Sequence, residues 1–174
     1  MTMGIGAASI ISRNLGAKKY ERAEEILGNF FTLNIILGLI ASGLGLMFLE
    51  PLLKIFGATE TILPYATEYM SIILVGAVFL CFTAGSNNII RAEGSAKFAM
   101  GVMLVSTAVN LILDPILIFG FKMGLTGAAI ATVVAQMSSA LAAFYYFFSG
   151  RNNVQIHFKN FKLRVANVKQ IFAI

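Results

Sequence analysis

Four long stretches of the chain are continuously apolar, and charged residues collect almost entirely between them. Phe30–Leu49, Tyr69–Ile90 and Met123–Ser149 carry no charge, and Phe98–Phe121 carries only Asp114. Each run reaches the roughly 20 residues that cross the hydrocarbon core as a helix. Strands of a membrane barrel would alternate apolar and polar positions instead. The pattern predicts four complete transmembrane helices. Met1–Ser12 is also apolar but too short to span, and it lacks the basic leader and cleavage site of a signal peptide. Rich in Gly, Ala and Ser, it reads as the inner half of a truncated helix. The chain is therefore expected to be a fragment that begins inside a membrane helix.

The connections are short. Gly16–Glu25 is polar and helix-forming, with Lys18, Glu21, Arg22 and Glu25 at three- and four-residue spacings. Pro51, Gly57 and Pro64 break the second connection. Arg91-Ala-Glu93-Gly94-Ser95 and Phe121-Lys-Met-Gly124 are tight enough to set successive helices side by side, antiparallel. Small residues crowd the last span, and Gly124-xx-Gly127-Ala128 spaces them for close helix contact. Residues 151–174 are basic, without acids, and interleaved with Phe158, Phe161, Val165, Val168 and Phe172. An interfacial amphipathic segment is expected there, with His157 as a wet interface residue. Residues 1–150 thus form the membrane unit and 151–174 a linker.

Composition agrees. Apolar residues make up 58% of the chain and charged residues 12%, against about 25% charged in a soluble domain. Charge also sets an orientation. With each run crossing once, eleven of the thirteen basic residues share one side, and only Lys54 and Lys122 lie opposite. The positive-inside rule then places the segments after Leu15, Ile90 and Ser149 in the cytoplasm. This bias also explains the basic tail better than nucleic-acid binding does. Cys81 stands alone, so it has no disulfide partner in the chain and reads as a small packing residue.

Asp114 is the only aspartate in the chain. A carboxylate at membrane depth costs about 2.5–3.5 kcal/mol on insertion scales, which makes it a functional-site hypothesis by default. Asn110 lies one turn before it, on the same face, about 6 Å along the axis. Pro115 has no N–H, so the Leu111 carbonyl is left free for another partner. A carboxylate, an amide oxygen and a spare carbonyl are hard oxygen ligands suited to a small cation. Counting outward from a turn centred near Met123, Thr132 falls at the depth of Asp114 and Gln136 at that of Asn110. Gln136 reads first as a residue bonding neighbouring helices, and as a possible outer ligand. A proton can also neutralise such a carboxylate, so a proton and Na⁺ are both suitable occupants. Enzyme readings find no support. An intramembrane aspartyl protease needs two aspartates, a zinc site needs His or Cys clusters, and no phosphate-cradling loop occurs.

The chain resembles the multidrug and toxic compound extrusion (MATE) transporters along its whole length. Ser12-Arg13-Asn-Leu15-Gly16-Ala17 with Tyr20-Glu-Arg22-Ala23 is similar to the loop after their second helix. Leu49-Glu50-Pro51-Leu52-Leu53 with Phe56-Gly57-Ala58 is similar to the end of their third. Ile90-Arg91-Ala92-Glu93-Gly94 resembles the loop between helices four and five. Asn110-Leu-Ile-Leu-Asp114-Pro115 and Gly127-Ala128-Ala129-Ile-Ala131-Thr132 resemble helices five and six.

The resemblance implies an all-α membrane protein. In it, part of helix two and helices three to six belong to a six-helix lobe of a twelve-helix transporter. It implies exchange of small organic, often cationic, compounds for Na⁺ or H⁺ without a further cofactor. It also implies a cation site at Asn110, Asp114 and Thr132. By this resemblance the family's site would also use an aspartate on a first helix, and the first helix and the second lobe are expected to lie outside this sequence. Two other readings stay open. One is a lipid-linked precursor flippase, although its expected arginines are missing from these spans. The other is a non-transporting scaffold in which Asp114 pairs with a base elsewhere.

Overall fold

The computed structural model describes residues 2–149; the expected linker at 151–174, with His157, lies outside the described residues. The described part is helical: α1 (Thr2–Gly16), α2 (Tyr20–Met47), α3 (Leu49–Ile55), α4 (Leu63–Ala92), α5 (Ala96–Pro115) and α6 (Gly124–Phe148). A π-helical turn, Ile116–Gly120, continues α5. Four helices are long and apolar enough to cross a membrane: Tyr20–Met47, Leu63–Ala92, Ala96–Gly120 and Gly124–Phe148.

Each span overruns its apolar core because the flanking polar residues also favour helix. α2 begins at Tyr20, well before the uncharged run, and Arg22 pairs with Glu25 at 3.0 Å across one turn. The second connection is more ordered than its breakers suggested. Pro51 sits in the first turn of α3, where a missing N–H costs no helical bond. Pro64 likewise opens α4. Gly57, at φ +91°, ends the connection's helix in a conformation that favours glycine.

α4 is central, packing against α1, α2, α3, α5 and α6. Its core is aromatic. Phe31 stacks on Phe82 at 5.0 Å, Phe82 on Phe144 at 4.3 Å, and Phe147 meets Phe31 edge-on at 5.2 Å. Lipid gives helices little hydrophobic drive to associate, so close approach and interhelical hydrogen bonds must hold them. Ser42 donates to the Leu74 carbonyl at 2.7 Å and buried Asn87 to the Ala99 carbonyl at 2.9 Å. Gly38 lets α2 approach Val78 of α4. Cys81, read as a small packing residue, is exposed on the described lobe. α5 is peripheral, with only Ala99 and Val102 buried.

Asn87 ties the inner halves of α4 and α5. Replacing it with Ala removes that donor and is expected to cost about 1 kcal/mol. Thermal unfolding of the purified protein, followed by circular dichroism, should show a small drop in midpoint.

Candidate functional site

The π turn after Pro115 shapes the outer end of α5. Pro115 offers no hydrogen to the Leu111 carbonyl, and the Ile116 N–H turns to Leu113 instead. Phe121 N–H then bonds the Ile116 carbonyl at 3.0 Å, the wider π spacing. Such single π turns inside helices often accompany functional sites.

Asp114 lies in the last turn of α5, beside this irregular backbone. Its Oδ1 is buried and has no hydrogen-bond partner. A buried carboxylate oxygen without a partner is costly and calls for a proton or cation. Among the described residues no three His, Cys, Asp or Glu side chains gather around a metal position. Asp114 thus offers a single hard carboxylate oxygen without a partner, which suits a proton or a small hard cation.

The α5–α6 register corrects the depth expected from simple counting. Ser106 donates to the Ala135 carbonyl and Ser139 to the Val102 carbonyl, each at 3.2 Å. A Cβ on Gly127 would meet the Leu117 carbonyl at 3.0 Å. Thr132 therefore lies level with the turn from Asn110 to Leu113. Asp114 lies roughly one turn farther toward the connecting loop. Thr132 donates to the Ala128 carbonyl at 2.9 Å, which uses its proton and leaves its oxygen lone pairs free.

Gln136 goes elsewhere. Its Oε1 is buried without a partner, 3.1 Å from where a Cβ on Gly76 of α4 would stand. There it lines a cavity of about 450 Å³ between α4, α5 and α6, which Ile5 of α1 also borders. The other walls are Leu80, Thr83, Ala84, Asn87, Asn88 and Arg91 of α4, Met103, Ser106 and Thr107 of α5, and Ser139 of α6. Thr83 Oγ1 is a second buried atom there without a partner. Asn110, Asp114 and Thr132 are not among the cavity's walls.

Helical spacing nonetheless joins the two places. Met103, Thr107, Asn110 and Asp114 recur at four-, three- and four-residue steps, one stripe on α5. Thr132, Gln136 and Ser139 make the matching stripe on α6. Asp114 lies about 10 Å along the axis from Thr107 at the cavity wall. The α4 wall of this cavity was missed in the sequence. Its signal was the four-residue spacing of Thr83, Asn87 and Arg91 at the inner end of α4.

Comparison with known proteins fits this geometry. The MatE family profile matches residues 1–116. The multidrug export protein MepA of Staphylococcus aureus (strain MRSA252) is 33% identical over 98% of this chain. The chain spans 38% of that relative's length. A multidrug resistance MATE family transporter of the MOP superfamily, solved in an inward-facing conformation, superposes with a TM-score of 0.93. It is 31% identical, with 99% of this chain and 40% of that one covered. An outward-facing MATE family transporter gives 0.91 at 30% identity, covering 99% and 39%. Sequence and fold agree over nearly the whole chain, and this multi-pass membrane lobe belongs to the MATE family of transporters.

Proposed function

We propose that the chain is part of the N-terminal lobe of a secondary active efflux transporter. It exchanges small organic, often cationic, compounds for Na⁺ or H⁺ by alternating access. The observation that carries this reading is the buried, unpartnered Oδ1 of Asp114 at the end of a polar stripe. Asp114 holds the cation, with Asn110 and Thr132 as neutral oxygen donors and the Leu111 carbonyl in reserve. The cavity lined by Gln136, Thr83 and Asn87 is wide enough for part of an organic substrate. Its apolar walls suit a hydrophobic body, and its amides and hydroxyls suit polar groups.

The likeness to both inward- and outward-facing relatives supports a lobe that keeps its shape while the transporter switches. A cation drives such a switch only by binding the two states unequally. The loops after Leu15, Ile90 and Ser149 face the cytoplasm in this reading, and residues 151–174 lead toward the second lobe.

The test is dye efflux by the full-length protein in liposomes under an imposed Na⁺ or H⁺ gradient. An inward-directed gradient of one of the two should accelerate efflux several-fold. Efflux indifferent to both gradients would overturn the coupling.

A further inference from the structure

The turn between α4 and α5 holds a second half-buried carboxylate, Glu93, far from Asp114. Gly94, at φ +89°, reverses the chain between Glu93, which caps α4, and Ser95, which precedes α5. Both neighbours then meet the last turns of α6. The Tyr146 hydroxyl lies 2.9 Å from Glu93 Oε2 and 2.8 Å from Ser95 Oγ. Phe98 packs on the Tyr146 ring, with centroids 4.7 Å apart, and helps to keep water out. The other carboxylate oxygen, Glu93 Oε1, is buried with no partner.

Among the described residues, none of the nearby cations answers this charge. Arg91 of α4 directs its guanidinium to Met103 Sδ at 3.3 Å. Lys97 of α5 is exposed. Arg13 of α1 bonds Ser9, and Arg22 of α2 bonds Glu25. Burial therefore pushes the Glu93 carboxyl up to about 7, while the Tyr146 hydrogen bond pulls it part of the way back.

We propose that Glu93, Tyr146 and Ser95 form a proton-binding site that clamps the α4–α5 turn to the end of α6. The three oxygens can hold either charge state without moving. With Glu93 ionised, Tyr146 donates to it and Ser95 donates to Tyr146. With Glu93 protonated, the carboxyl donates to Tyr146 and Tyr146 donates to Ser95. The chain of donors reverses, and one proton is gained. Only the ionised form leaves a charged oxygen buried and unanswered, so proton loss destabilises the packed turn while its hydrogen bonds stay in place. α6 ends two residues beyond Tyr146, at Phe148, so the clamp governs how firmly the chain is held where it leaves the lobe. This site is independent of the cation role assigned to Asp114.

Infrared difference spectra of the full-length protein in lipid, taken between pH 6 and pH 8, test the idea. A protonated-carboxyl band should disappear with a midpoint near pH 7, and E93Q should delete it. D114N should leave it in place, which separates the two carboxylates. Y146F keeps the ring against Phe98 but removes the hydroxyl, so the midpoint should rise by about one unit, a tenfold tighter hold on the proton. Thermal unfolding gives a second reading. Between about pH 4.5 and 7 the folded protein holds a proton that the unfolded chain releases. The stabilisation is therefore complete below that range and is lost as pH rises through 7. The wild type should melt lower at pH 8 than at pH 6, and E93Q should lose most of that dependence. A band that survives E93Q, or a midpoint unmoved in Y146F, would overturn the proposal.

Discussion

Replacing Asp114 with Asn is expected to abolish gradient-driven efflux while leaving the protein folded and inserted. Asn has nearly the same shape and carries no charge. Neutralising a carboxylate at membrane depth removes an insertion penalty of about 2.5–3.5 kcal/mol, so the variant should reach the membrane at least as well as the wild type. What it loses is the differential grip on a cation. Coupling energies between ligand sites are typically about 1–3 kcal/mol, a 5- to 150-fold effect on affinity. Loss at that scale should leave downhill dye movement but remove its acceleration by the gradient. Efflux assays in liposomes, normalised to inserted protein, read this directly. If D114N instead failed to assemble, the scaffold reading would gain and the coupling role would lose its support.

Gly85→Val is expected to destabilise the lobe strongly. Gly85 stands where α1, α2 and α4 converge. A Cβ there would collide with the Phe30 ring end and lie 3.1 Å from Asn34 Nδ2. From the other side, a Cβ on Gly4 would lie 2.9 Å from the Gly85 Cα. Phe30 is fully buried and packs edge-on against Phe31 at 5.7 Å, so it has nowhere to retreat. Overpacking of this kind costs about 1–3 kcal/mol, and a branched side chain belongs at the upper end. Gly101→Ala is the matched control, because nothing lies within 4 Å of its added Cβ. Circular dichroism melts should show a clear drop for Gly85→Val and none for Gly101→Ala. Equal melts would mean that the helices cross more loosely than this packing requires.

The spans were legible in the sequence because lipid demands an unbroken apolar length, and Phe30–Leu49 or Tyr69–Ile90 meet that demand without context. Their ends were less legible. Tyr20–Glu25 reads as helix-forming but not as part of the span, and Leu63–Glu68 follows breakers, yet α2 and α4 run continuously through them. Pro115 announced a missing N–H, but not that the chain would respond with a π turn. The α5–α6 register, set by Ser106 and Ser139, places Thr132 level with the Asn110 turn.

The rotation of each helix about its axis leaves little trace in a single run. For that reason Gln136 reads as an interhelical residue or an outer ligand alike, and only the fold shows that it turns toward Gly76 and the cavity. Glu93 was read only as part of a tight turn. Its partner Tyr146 is 53 residues away, and only the packing of α6 on that turn reveals the buried carboxyl.

In the proposed mechanism a cation at Asp114 and an organic substrate compete through the conformation of one transporter. Equilibrium binding of a fluorescent cationic dye to the purified full-length protein, titrated with Na⁺ at fixed pH and with pH at fixed Na⁺, tests it most directly. Dye affinity is expected to change at least several-fold with one of the two cations in the wild type, and D114N should remove that response. An equal response in D114N would contradict the claim.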